Sequence, residues 1–121
     1  MNMTENQDLG KLGEEFAVHF LVSKGFKILA KNWRFRKDEI DIIAKKDNYL
    51  VIVEVKTRST SFFGEPFTAV TKKKQDFLIR AANAYIEENN IELECRFDIV
   101  SIVFVDKKHR IEHIEDAFYP V

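Results

Sequence analysis

The stretch DEIDIIAKKDNYLVIVEVK, residues 38–56, decides how the chain folds. It holds two runs rich in β-branched residues, 39–45 and 49–58, separated by the turn-type residues Lys46, Asp47 and Asn48, and this pattern predicts a β-hairpin. Strand side chains alternate between faces. In LVIVEVKTR, Glu54 and Lys56 therefore share one face while Val51, Val53 and Val55 take the other. The apolar run around Glu54 predicts a central strand, where a charge is costly unless it is paired or bound to a metal. In the partner strand Glu39 and Asp41 are expected on one face and Ile40 and Ile42 on the other, and the hairpin brings Asp41 close to Glu54. Paired carboxylates of this kind suit Mg²⁺ or Mn²⁺, leaving coordination positions for water and a phosphate oxygen, with Lys56 placed to steady developing negative charge. The competing explanation is a structural salt bridge within the sheet.

Outward from this hairpin the chain alternates helical and extended patterns. Leu9, Leu12, Phe16 and Phe20 recur at helical spacing, Thr4 with Gln7 fits a capping box, and Gly25 is placed to end the helix after Lys24. Phe26, Ile28 and Ala30 then alternate with polar residues and lead to Trp33 and Phe35, giving one strand or two short ones. Residues 59–66, with Gly64 and Pro66, read as a loop. A second helix is expected from about Thr71, with Phe77, Leu78, Ala81, Ala84 and Tyr85 on its apolar face and Glu87 to Asn90 at its end. A long strand over 95–105 and a short one around 110–114 complete an order αβββαβ with a terminal strand.

The 121 residues, 45% hydrophobic and 32% charged, carry no repeat or low-complexity tract, and one domain spanning 1–121 is the expectation. No apolar run has the length of a membrane span, and the first residues lack a signal-peptide pattern, so a cytoplasmic protein with no membrane partner is expected. The lone Cys95 cannot form an internal disulfide and is read as a small buried side chain. His19, His109 and His113 show no ligand spacing.

The net charge is −1, yet residues 31–80 hold 12 Lys/Arg against 7 Asp/Glu, a net of +5, which leaves −6 for the remainder. A basic middle suits a polyanion, although a solvated lysine face has the same composition. Within it, Lys72, Lys73 and Lys74 crowd a helix start that disfavours cations, a local cost that phosphate binding would explain. The strip Trp33-Arg34-Phe35-Arg36 pairs aromatic with basic residues in a way that could meet nucleic acid, while its aromatics equally suit a core.

Asp41 followed by Glu54-Val55-Lys56 resembles the D…(E/D)xK signature of the restriction-endonuclease-like superfamily, whose core is αβββαβ. More narrowly, GKLGEEFA (10–17), KNWR (31–34), DEIDIIA (38–44), VEVKTR (53–58), FGEP (63–66), KKQ (73–75) and RFDIV (96–100) resemble the bacterial YraN-type proteins over nearly the whole chain. The resemblance implies an α/β fold with a mixed central sheet flanked by helices and an extra C-terminal strand. Similar nucleases, archaeal Holliday-junction resolvases among them, add a carboxylate from the first helix, here matched by Glu14, and often a polar residue early in the helix after the ExK strand, here Gln75 beside Lys74. Where the family usually has glycine, this chain has Asp38.

The expected site is therefore Asp41, Glu54, Lys56 and Gln75 as catalytic residues, and Asp41, Glu54 and Glu14 as ligands of Mg²⁺ or Mn²⁺. Arg34, Arg36, Arg58, Lys73 and Lys74 are the expected contacts to nucleic acid, DNA foremost, and analogy with branched-DNA enzymes suggests a homodimer. Two rivals stand beside this endonuclease reading: a non-catalytic nucleic-acid-binding module of the same fold, and a protein-interaction domain with a basic surface.

Overall fold

The computed structural model describes residues 5–61 and 69–120, with side chains from Leu9 onward. The elements are α1 (Glu5–Ser23), β1 (Lys27–Phe35), β2 (Asp38–Lys46), β3 (Tyr49–Ser59), α2 (Lys72–Asn89), β4 (Glu94–Val105) and β5 (Lys108–Phe118). The five strands form one mixed sheet in the order β1-β2-β3-β4-β5, with β3 and β4 parallel and the other neighbours antiparallel. This is the restriction-endonuclease-like α/β core with its added terminal strand. No helix among the described residues is long and apolar enough to cross a membrane.

The parallel pair requires a crossover, and α2 supplies it. Thr71 caps this helix by accepting the Lys74 N–H at 3.1 Å, and Asn90 ends it in the left-handed conformation. Leu78, Ala81, Ala82 and Tyr85 are buried against Ile40, Ile43, Leu50 and Ile52. The buried face thus includes Ala82, while Ala84 lies at its edge. On the opposite face of the sheet, Ala17 and Leu21 of α1 pack on Ile42, Ala44, Val51 and Val53. Two helices therefore cover opposite faces of a sheet whose central strand is β3.

The stripe of α1 is rotated from its expected position. Leu12 is exposed, and the fully covered line runs through Gly13, Ala17 and Leu21. Gly13 explains the rotation: a β-carbon there would collide with the side chain of Thr57 on β3, so the missing side chain lets helix and strand approach. Gly13→Ala should lower stability by about 1–3 kcal/mol through overpacking, exceeding the roughly 1 kcal/mol that alanine gains in helix propensity. Urea unfolding measures the balance, with Thr57→Ala expected to restore part of the loss. Unchanged or increased stability would contradict this close approach.

At its C-terminus α1 closes on Gly25, at φ 91°, and the Lys24 carbonyl accepts from Lys46 Nζ at 2.8 Å. The Thr4–Gln7 capping box and residues 62–68 of the expected loop, with FGEP inside them, lie outside the described residues. The first strand is a single one, with a register shift between Ile28 and Ala30, and the last, Lys108–Phe118, is much longer than expected.

β5 is tied to β4 around Asp98, a fully buried carboxylate. It accepts from Arg96 Nε and Nη2 at 2.9 Å each and from the Asp116 N–H at 3.0 Å, and contacts His113 Nε2 at 2.8 Å. Burial alone would raise its pKa, but the bonds from His113, Arg96 and the Asp116 N–H outweigh that and hold it below the usual carboxylate range. The β4–β5 register shifts at this residue, and Asp116 adopts a positive φ of 54°. His113 is structural, as its lack of ligand spacing indicates.

Candidate functional site

The β2–β3 ladder runs from Lys46↔Tyr49 to Ile42↔Val53. Beyond that point the Val55 N–H donates to Asp41 Oδ2 at 2.8 Å, so a side chain takes the place of a strand carbonyl. On the other side of β2, the β1 pairing passes from Lys31↔Ile42 to Trp33↔Ile40 in unchanged register, with Asn32 and Asp41 left out of the pairs between them and Asn32 at φ 49°. Ile40 consequently packs with Ile43 on the α2 face, while Ile42 packs on the α1 face. The expected alternation of Ile40 and Ile42 on one face thus fails at Asp41. Strand parity assumes an unbroken ladder, and the ladder breaks where the carboxylate is needed.

Glu54 keeps the expected parity and is buried at 6% exposure. Its Oε1 is buried with no hydrogen-bond partner, and its Oε2 lies 3.9 Å from both Lys56 Nζ and Lys74 Nζ. The Asp41 carboxyl group neighbours the Glu54 carboxylate. Burial first, and then the neighbouring Glu54 charge, push Asp41 up to about 8, against the Val55 N–H and Lys74, which favour its ionised form. A buried carboxylate oxygen without a protein partner, beside a second carboxyl group, is a donor pair whose chemistry fits a hard divalent ion. Mg²⁺ sites commonly use only one or two protein carboxylates, with water and substrate oxygens filling the rest.

A raised Asp41 pKa has a definite sign in stability. The folded state holds a proton that the unfolded chain releases near pH 3.8, so this group favours folding at low pH and loses that contribution as pH rises towards about 8. The metal-free protein should melt progressively lower between about pH 5 and 8 relative to Asp41→Asn. Parallel melting curves for the two proteins across this range would contradict the raised Asp41 pKa.

Glu14 projects from α1 into a cavity of about 190 Å³ that Asp41 also lines. It accepts from Asn32 Nδ2 at 2.9 Å, and burial raises its pKa, with Asp41 and Glu39 adding to the effect and Asn32 opposing it. Among the described residues no three carboxylate, imidazole or thiol groups converge as a ready ligand set, so Glu14 stands beside the carboxylate pair without closing it. Gln75 is half-buried, and its Nε2 donates to the Val70 carbonyl at 2.9 Å, which leaves its oxygen as the remaining acceptor. Asp38 pairs with Lys74 at 3.2 Å.

The basic residues divide by environment. Arg34 is exposed and lies 3.7 Å from Glu39, an exposed ion pair. Arg36 and Lys73 are exposed, and Arg58 lies at the exposed end of β3. Trp33 and Phe35 pack on the α2-side core, so the aromatic half of that strip is structural. Cys95 is half-buried, and burial pushes its thiol up to about 11, consistent with an inert side chain. Sequence reasoning missed the approach of Lys74 to Glu54 and the bond from Asn32 to Glu14. The first had a signal in the lysines crowding the start of α2; the second had none.

The chain is similar throughout to a set of bacterial proteins. A UPF0102 protein of Flavobacterium psychrophilum is 53% identical over 117 residues, covering 97% of this chain and 98% of the relative. UPF0102 proteins of Christiangramia forsetii and Alkaliphilus oremlandii are 48% and 44% identical, covering 97% and 93% of this chain and 98% and 99% of their own lengths. Residues 13–102, which carry Glu14, Asp41, Glu54, Lys56 and Gln75, match the family model described as "Uncharacterised protein family UPF0102". The chain belongs to the UPF0102 family, the YraN-type proteins its motifs resemble.

Proposed function

We propose that this protein is a Mg²⁺- or Mn²⁺-dependent endonuclease that hydrolyses phosphodiester bonds in nucleic acid, DNA foremost. The observation that carries the reading is the buried Glu54 carboxylate, with Oε1 unpartnered, facing Asp41 and flanked by two lysines. Buried polar atoms are mostly hydrogen-bonded, so an unpartnered oxygen in this pair favours a ligand-binding role over a purely structural one. Asp41 and Glu54 would hold the ion, with Glu14 lining the same cavity as Asp41. A cation held there would supply positive charge against the phosphodiester and would acidify water.

The chain's own groups do the rest. Lys56 and Lys74 hold positive charge beside Glu54, where negative charge accumulates on phosphorus during attack. The Gln75 oxygen orients water as an acceptor, and Arg34, Arg36, Arg58 and Lys73 hold the backbone. A cleavage assay on branched, single-stranded and duplex DNA, with and without Mn²⁺, tests this. Metal-dependent cleavage that disappears in Lys56→Ala is the expected result. Binding without cleavage under any metal condition would replace it with the non-catalytic module.

A further inference from the structure

Lys74 belongs to two places at once. Its Nζ lies 3.9 Å from Glu54, and the residue also lines an open cleft of about 900 Å³ between the β1–β2 turn and the first turns of α2. Arg36, Lys73 and Arg80 line the same cleft, and Phe77 supplies apolar surface. Asp38 is the only carboxylate among the described lining residues, and it is engaged by Lys74 at 3.2 Å. The cleft therefore carries a large excess of positive charge.

Among the described residues lining its wall one is aromatic, Phe77, backed by Phe35 from the core. Phe35 packs against Phe77 with ring centroids 6.1 Å apart, the Arg36 guanidinium lies 5.3 Å over the Phe35 ring, and Lys74 Nζ lies 5.2 Å over Phe77. An inorganic anion would use the cations and leave this wall bare. A duplex offers phosphates but keeps its base faces stacked inside. An unpaired nucleotide offers both a flat apolar base and flanking phosphates, which suits aromatic and guanidinium surfaces joined to a basic groove. The volume lies within the range of about 300–1,000 Å³ usual for clefts that hold small organic ligands.

We propose that this cleft binds an unpaired nucleotide of a single-stranded or flapped nucleic acid, its base against Phe77 and its phosphates on Arg36, Lys73 and Arg80. Lys74 then places the adjoining phosphodiester beside Glu54. The role of that adjoining phosphodiester rests on the nuclease reading; binding in the cleft does not.

The test is fluorescence anisotropy of the full chain in EDTA with a labelled 12-nucleotide oligo-dT, a blunt duplex of equal length, and inorganic phosphate as competitor. The single strand should bind more tightly than the duplex, and millimolar phosphate should not displace it. Arg36→Gln and Arg80→Gln should each weaken binding and each reduce the slope of log affinity against log salt by about 0.7. Phe77→Ala should weaken single-strand binding about ten-fold with the slope unchanged. Phe77 also packs on the core, so the exposed Arg80→Gln is the decisive variant.

Equal duplex affinity, or unchanged affinity and slope in both arginine variants, would overturn the cleft. The two readings fail separately. Single-strand binding with no cleavage sinks the nuclease and supports the cleft, whereas metal-dependent cleavage by a protein that binds duplex as tightly as single strand does the reverse.

Discussion

Above about pH 8, Glu54→Gln should melt at a higher temperature than the wild type in EDTA and at a lower one in Mn²⁺. In the metal-free protein above about pH 8, where Asp41 is ionised, Glu54 Oε1 is a buried acceptor without a donor, opposite a second carboxylate. An unsatisfied buried group costs about 1–3 kcal/mol, and the amide of glutamine can donate to Asp41 while removing like charge. Stability without metal should rise by roughly that amount. At a metal concentration one hundred times its dissociation constant, the wild type should gain about 2.7 kcal/mol and the variant nothing. The crossing of the two orders is the informative result, since a salt bridge kept only for stability would make Glu54→Gln weaker in both buffers. Cleavage should fall by at least about 10²-fold, the scale of losing one group that stabilises transition-state charge.

Asp98→Ala should be the most damaging single change away from the site. It removes the shared acceptor of Arg96, His113 and the Asp116 N–H, and His113 is only 5% exposed in its side chain. Breaking a buried charged network in this way costs about 3–5 kcal/mol, a fall of roughly 10–20 °C for a protein of this size. The sign with pH is fixed by the lowered pKa: the contribution is present above the unfolded value of 3.8 and is lost as pH falls through the folded one. The wild type should therefore lose stability on acidification below about pH 4 more steeply than Asp98→Ala. A loss under about 1 kcal/mol, the range of exposed pairs, would show that the network is not structural.

Much of this arrangement was legible in residues 38–56. β-Branched runs about a turn gave the hairpin, and parity alone put Glu54 and Lys56 together on an apolar strand. Parity failed at Asp41 because it presumes continuous pairing, and here β2 leaves β3 after Ile42 and hands the Val55 N–H to a side chain. The stripe of α1 was misplaced for a related reason. Leu12 looks like a core residue until Gly13 meets Thr57, a contact 44 positions away in the chain that no helical period encodes.

The proximity of Lys74 to Glu54 depends on how α2 seats on β3, which is also set by packing. Asp98 is different. It is a lone carboxylate in an apolar strand, and the rule that singled out Glu54 applies to it equally. The two were separable only by their partners: Asp98 has every oxygen satisfied, and Glu54 has one left over.

That leftover oxygen is the centre of the account, and crystals grown at pH 8 with millimolar Mn²⁺ test it most directly. The expected result is an anomalous peak at about 2.0–2.2 Å from a carboxylate oxygen of both Asp41 and Glu54. Well-ordered density in which the two carboxyl groups still face each other and no peak lies between them would contradict it.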